Sequence, residues 1–250
     1  MTKDKWEDQT NGKIESLGDS AIVIRFGTKI EYEIHRKVQA VVDYLQHNSF
    51  QGFIECIPAY TSVTILYNPL QVWNSATNKE RQTTTPSKIV RSIVEDLLMN
   101  VREEKRAKHR VVEIPVCYGG ECGPDLDYVA KVNHLSKDEV ISLHSTTEYL
   151  VYMLGFSPGF PFLGGMAEEL ATPRRNSPRT AIPAGSVGIA GGQTGIYPIT
   201  TPGGWRLIGQ TPLQLFLPEN EPPSLLAAGD IVKFYSISYD EFMEYKGGGL

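Results

Sequence analysis

Arg174, Arg175, Arg179 and Arg206 are the only strongly ionised side chains between Leu170 and Pro218, a stretch that holds no Asp, Glu or Lys. Arginine presents a planar fork of donors that matches a carboxylate or a phosphate. In a chain of net charge −5, this local positive charge without an internal counter-ion reads as a site for an anionic small molecule. Arg174 and Arg179, each directly after a proline, are the expected centre of that site. The alternative is that the arginines pair with acidic residues of the first domain or of a partner chain. The glycine-rich run from Gly185 to Gly195, Gly188 included, adds backbone N–H groups with few side chains in the way, an arrangement that binds anions. Gln193, Thr194, Tyr197 and Trp205 complete the expected substrate- or anion-binding set.

His144 is the expected general acid–base, because histidine titrates near neutral pH and passes protons. The competing reading is a surface histidine near a helix C-terminus, favoured there by the helix dipole. Phe156, Pro158, Phe160 and Phe162 fall in one run, Phe-Ser-Pro-Gly-Phe-Pro-Phe, which reads as a stiff apolar wall beside the site. The stretch from Gly155 to Pro212 carries 12 of the 23 glycines and 8 of the 16 prolines, a density that fixes backbone shape and permits close approach to the main chain. Cys117 and Cys122 flank Tyr-Gly-Gly-Glu, but no matching Cys or His pair completes four ligands, so no metal is expected in this chain. Neither a Walker-type phosphate loop nor a nucleophile elbow is present, and the glycines at 188–195 do not have dinucleotide-binding spacing.

The elements that must position these residues read as two domains. In the first domain, 1–104, residues from about 14 to 100 alternate strands and helices: Ala21 to Phe26, Phe53 to Ile57 and Ser62 to Tyr67 as strands, a helix carrying Ile30, Ile34, Val38, Val41, Val42 and Leu45, and a second helix opened by Thr85 as N-cap and Pro86 at its first position. The run 102–110 is almost all charged and marks the boundary. Residues 105–250 open with a strand from Val111 to Cys117 and a helix after Gly123-Pro124-Asp125. A helix capped by Ser136 and Glu139 follows. From Thr147 onward, short strands separated by Gly and Pro turns indicate a compact barrel, and the tail 246–250 reads as disordered. The fold class is therefore α+β, a small α/β domain followed by a β-barrel domain that carries the site.

Composition narrows the function classes. Apolar residues make up 41% and charged residues 21%, as in ordinary globular proteins. The acidic balance argues against nucleic-acid binding, and no apolar run approaches a membrane span. Met1 to Thr10 is polar, and three cysteines without a secretory signal point to a reduced, cytoplasmic setting.

Several of these residues lie in motifs with a family counterpart. Val112-Glu113-Ile114-Pro115-Val116-Cys117-Tyr118, Gly123-Pro124-Asp125-Leu126, the run from Tyr149 to Gly165, Pro173-Arg174 and Pro178-Arg179 occur in order. Pro183 to Ile189, Gln193 to Pro198, Thr201 to Trp205 and Ile208-Gly209 follow. Together they resemble the allophanate hydrolase subunit 1 family, and Gly18-Asp19-Ser20 and Gly52 to Pro58 match its KipI/PxpB branch in particular. The resemblance covers residues from about 14 to 240. It implies a cyclophilin-like barrel as the second domain and a role in an ATP-dependent 5-oxoprolinase that converts 5-oxo-L-proline to L-glutamate, with ATP at a site shared with a partner chain. The implied partners are KipA/PxpC, of the allophanate hydrolase subunit 2 family, and PxpA. The same resemblance leaves open a KipI-like inhibitor of a sensor histidine kinase, or a component of an allophanate hydrolase or urea carboxylase system.

Overall fold

The computed structural model describes residues 12–101 and 109–248. The chain divides into two compact units at residues 107/108. That division and the charge-rich boundary expected at 104/105 both fall in the stretch 102–108, outside the described residues.

The first unit is a four-stranded antiparallel sheet of β1 (Lys13–Ser16), β2 (Ala21–Arg25), β3 (Phe53–Pro58) and β4 (Ser62–Tyr67), in the order β1-β2-β4-β3. Alternating residues of the strands, Ile22, Ile24, Val63, Ile65 and Tyr67, are fully buried on one face. They join Val38, Val41 and Leu45 of α1 (Tyr32–His47) and Val90 and Val94 of α4 (Pro86–Leu98) in a single core. The period of two in the strands and of about 3.6 in the helices places those faces together. Two short helices, α2 (Pro69–Ser75) and α3 (Asn78–Thr83), escape the sequence reading because neither carries a full apolar stripe. α2 is started by Asn68, whose side chain accepts from Leu70 and Gln71, and α3 by a Thr77/Glu80 capping box. Thr85 does stand at the N-cap of α4, but its hydroxyl lies against Ser87 rather than capping the helix backbone.

The second unit is a closed seven-stranded barrel. Its strands are β5 (Val111–Tyr118), β6 (Glu148–Leu154), β7 (Pro161–Gly164), β9 (Ser186–Ala190), β10 (Gln193–Ile196), β12 (Arg206–Gln210) and β13 (Ile231–Ile237), in the order β10-β7-β6-β13-β5-β12-β9. All neighbours are antiparallel except β13 and β5. A two-stranded ribbon, β8 (Arg179–Ile182) with β11 (Thr201–Gly203), stands beside the barrel. Helices α5 (Leu126–Val132) and α6 (Lys137–Thr146) add Leu126, Val129, Ala130 and Val140 to the barrel core. The α6 start is the expected capping box, with Glu139 N donating to Ser136 Oγ and Ser136 N to Glu139. The disorder expected at 246–250 does not hold for 246–247, which are helical, and 249–250 lie outside the described residues. Tyr239–Gly247 forms α7, opened by a second such box between Ser238 and Glu241, and it buries Phe242 against Cys117, Cys122 and Ile237. No helix among the described residues is long and apolar enough to cross a membrane.

Candidate functional site

The structure separates the expected site residues into three layers. The innermost holds His144, Thr194 and Gly188. His144 stands on α6 but faces inward and is 0% exposed, so neither the exposed helix-end placement nor a substrate-facing acid–base position expected from sequence applies. Its ring stacks on Phe234 at 4.6 Å and 29° and lies near Tyr149. Its Nδ1 is 2.8 Å from the Tyr118 hydroxyl and its Nε2 is 2.9 Å from Thr194 Oγ1. Thr194 Oγ1 also donates to the Gly188 carbonyl at 3.2 Å. With its single proton so used, the threonine accepts from Nε2–H, and Nδ1 accepts from Tyr118. The ring is therefore a neutral imidazole with both nitrogens satisfied. Burial alone drives its pKa down to about 3, since a charged ring would lose its hydration without gaining a counter-ion. The network ties α6 to β5, β9 and β10, and Tyr149 Oη adds a bond to the His144 carbonyl.

Outside it lies an aromatic layer. Phe160, Tyr197 and Trp205 are 2%, 2% and 6% exposed. Phe160 meets Phe162, Tyr197 and Trp205 edge to face at 5.0, 5.3 and 5.5 Å, a geometry favoured by ring quadrupoles. The expected wall is thus mostly interior, and only its rim reaches solvent. Phe156 is 68% exposed on a backbone with φ of 69°, a left-handed conformation that a bulky residue rarely adopts and that recurs at functional positions. Pro158 is exposed beside it. The Ser157 hydroxyl is buried with no hydrogen-bond partner among the described residues. Three of the glycines in the expected run are packed and take no part in an open anion nest, while Gly191 and Gly192 are exposed. Gly185 packs in a turn where its N–H donates to Tyr197 O. Gly188 and Gly195 lie within β9 and β10 against Trp205 and Phe160, where the strand ladder takes up their backbone groups. Gln193 is half-buried at the start of β10.

The third layer is the arginine cluster, and its counter-ion comes from outside the stretch 170–218 but from the same domain, not from the first domain or a partner chain. Asp125, its side chain 6% exposed, sits between Arg175, Arg179 and Arg206 at 3.2, 2.8 and 3.9 Å. Arg179 grips it with both Nη atoms, at 2.8 and 3.1 Å. Leu207 N–H donates to Oδ2 at 2.8 Å, and Asp125 N–H donates in turn to the Leu207 carbonyl. The turn before it presses so closely on β12 that a Cβ at Gly123 would stand 2.0 Å from the Ile208 carbonyl oxygen, so only glycine lets Asp125 reach its place. Burial pulls the Asp125 pKa upward, but Arg179, the Leu207 N–H and Arg175 outweigh it and hold the carboxyl below its ordinary value. Arg206 lies over the Tyr128 ring at 3.6 Å and donates to the Pro173 carbonyl. Arg174 is exposed.

The cluster adjoins the aromatic layer. Arg174 and Arg179 both act electrostatically on the Tyr197 hydroxyl, whose pKa is raised by burial and lowered in part by the Trp205 N–H and these two arginines. Sequence reasoning misses Asp125 as a site residue because the arginine-bearing stretch itself holds no acid. The Gly-Pro-Asp-Leu motif is the available signal. Among the described residues, no group of three or more His, Cys, Asp or Glu side chains gathers where a metal would fit.

The family model for the carboxyltransferase domain, subdomain C and D, matches residues 12–226. The chain belongs to this family. Among its carboxyltransferase-domain relatives, the 5-oxoprolinase B subunit of Bacillus subtilis (strain 168) is 55% identical over 234 residues, covering 94% of this chain and 96% of the relative. The 5-oxoprolinase B subunit of Escherichia coli O157:H7 is 41% identical over 223 residues, covering 87% and 93%. The solved structure of TTHA0988 superposes with a TM-score of 0.74 at 36% identity and covers 87% of this chain but 40% of that one. This carboxyltransferase-family chain therefore spans about two-fifths of that neighbour's length. The family read from the sequence motifs and the α+β fold with a closed barrel both hold.

Proposed function

We propose that this protein is the B subunit of a cytoplasmic 5-oxoprolinase, which opens 5-oxo-L-proline to L-glutamate in an ATP-dependent reaction. The observation that carries this reading is the 55% identity to a 5-oxoprolinase B subunit, extending over 94% of this chain and 96% of that one. The catalytic unit is an assembly with homologues of KipA/PxpC and of PxpA. ATP binds at a site to which this chain contributes. The lactam substrate carries a carboxylate and ATP carries phosphates, so the reaction brings anions to the protein. Arg174 and Arg179 receive one of them, and the Asp125 contact holds Arg179 in a fixed orientation for it. The rim formed by Phe156 and Pro158 covers the occupant and restricts water, and the buried Ser157 hydroxyl supplies a polar group still lacking a partner. His144 holds α6 against the barrel instead of exchanging protons with substrate.

The test is reconstitution. This chain, purified with its PxpC and PxpA homologues, is expected to release glutamate from 5-oxoproline only when ATP is supplied. Full glutamate release by an assembly lacking this chain contradicts the proposal.

A further inference from the structure

The Asp125 cluster also distinguishes between kinds of anion, on the reading above that these arginines receive one. Three guanidinium groups lie within 3.9 Å of a single carboxylate. One charge is cancelled and two remain, to which exposed Arg174, next to Arg175 in the chain, adds another. Among the described residues, Asp125 is the only carboxylate in ion-pair contact with any of the four.

Asp125 has little capacity left for a further donor. Its Oδ2 accepts from Arg179 Nη1 and Leu207 N, and its Oδ1 from Arg179 Nη2 and Arg175 Nη1. A carboxylate has about four acceptor sites, and four donors occupy them. The arginines are not exhausted in the same way. Arg179 Nε and Arg175 Nη2 have no partner among the described residues, and the side chains of Arg175, Arg179 and Arg206 remain 32%, 22% and 12% exposed. Stacking on Tyr128 restrains the plane of Arg206. The result is a rigid set of forks with surplus positive charge and unused N–H groups.

We propose that this cluster is a binding site for a phosphoryl dianion, with Asp125 as the positioning residue that holds Arg179 and Arg175 for it. A monocarboxylate such as 5-oxoproline neutralises one positive charge and leaves a partly buried excess. A phosphoryl group carries about −1.5 to −2 near neutral pH and three acceptor oxygens, so it offsets more of that surplus than one carboxylate does and has an acceptor for each of the two unused donors. Asp125 does not touch the ligand; it acts through the guanidinium groups.

The assignment is tested by calorimetric titration of the purified full-length chain with inorganic phosphate, inorganic pyrophosphate and, separately, 5-oxo-L-proline. Phosphate or pyrophosphate is expected to bind, at least about tenfold more tightly than 5-oxoproline, and to weaken as salt rises. Arg179→Lys, which keeps the charge but loses the fork, is expected to weaken phosphate binding about tenfold. Asp125→Asn separates positioning from simple electrostatics. Removing a negative charge would by itself tighten an anion, whereas loss of positioning weakens it, and weakening is the expected result. If Asp125→Asn does not fold, Arg174→Ala, an exposed position, is expected to weaken phosphate several-fold, as removal of one cationic contact does. No phosphate binding, equal affinity in the wild type and both arginine variants, or tighter phosphate binding by Asp125→Asn overturns the proposal. Tighter binding of 5-oxoproline than phosphate, abolished by Arg179→Lys, also overturns it while leaving an anion site in place. Glutamate release by the assembly is a separate readout, so the phosphoryl assignment can fail while the proposed role in 5-oxoprolinase stands.

Discussion

His144 and Asp125 are both buried polar residues at the centre of a network, yet they are compensated in opposite ways. His144 is neutral, with Tyr118 and Thr194 satisfying both ring nitrogens and an aromatic stack enclosing it. Nothing is left over for a ligand. Asp125 is ionised and saturated, but its partners bring more charge and more donors than one carboxylate can use. A closed polar network specifies a core, while the over-supplied one, at a partly exposed edge, is where we propose that a ligand binds. Burial of a titratable group alone does not distinguish these cases; the balance of donors, acceptors and charge does.

The largest expected effect that sharpens this contrast is on stability. His144→Ala leaves the Tyr118 and Thr194 hydroxyls short of a partner and opens a cavity beside Phe234. A loss of about 3 kcal/mol or more is expected in urea unfolding. An effect below about 1 kcal/mol would break the contrast by showing that the network is not a structural tie.

A related effect follows from pH. His144 has a folded pKa of about 3, against about 6.5 in an unfolded chain. Between those values the unfolded state binds the extra proton, so stability rises with pH by up to roughly 1.4 kcal/mol per unit and levels off above about 6.5. Asp125 also adds stability that is present above the unfolded carboxylate pKa and is lost as pH falls through its lowered folded value. Unfolding measured from about pH 4 to 7 should therefore show a positive slope that is reduced in His144→Gln. A slope unchanged by that substitution would place the proton uptake elsewhere.

Tyr118→Phe removes one donor from His144 Nδ1 and is expected to lower stability by about 1–2 kcal/mol without altering phosphate binding. A change in phosphate affinity would show that the two regions are coupled. Arg175→Ala sits at the other extreme. Its side chain is 32% exposed, so after solvent screening its stability effect should stay within about 1 kcal/mol, whereas phosphate affinity should fall.

Much of this architecture is legible in the sequence. The β-branched strands read at Ala21 to Phe26 and Ser62 to Tyr67, the apolar stripe of Val38, Val41 and Leu45, and the Ser136/Glu139 box carry local signals strong enough to be read directly. So does the Gly- and Pro-rich barrel. Helices α2 and α3 carry weak stripes, and α7 runs into a segment where the terminal glycines dominate the pattern. Of the site, the arginines are visible because acids are absent around them. Asp125 is not, because its contact with Arg179 spans 54 residues and exists only once β12 and the β8–β11 ribbon are in place. The inward orientation of His144 likewise depends on how α6 docks, which its polar sequence neighbours do not indicate.

The most direct test is glutamate release by the reassembled complex carrying Arg179→Lys. Intact assembly with release lowered at least about tenfold, and no comparable loss in Tyr118→Phe, is the result expected if the arginine cluster serves the reaction. Release at the wild-type rate from the Arg179→Lys complex would contradict it.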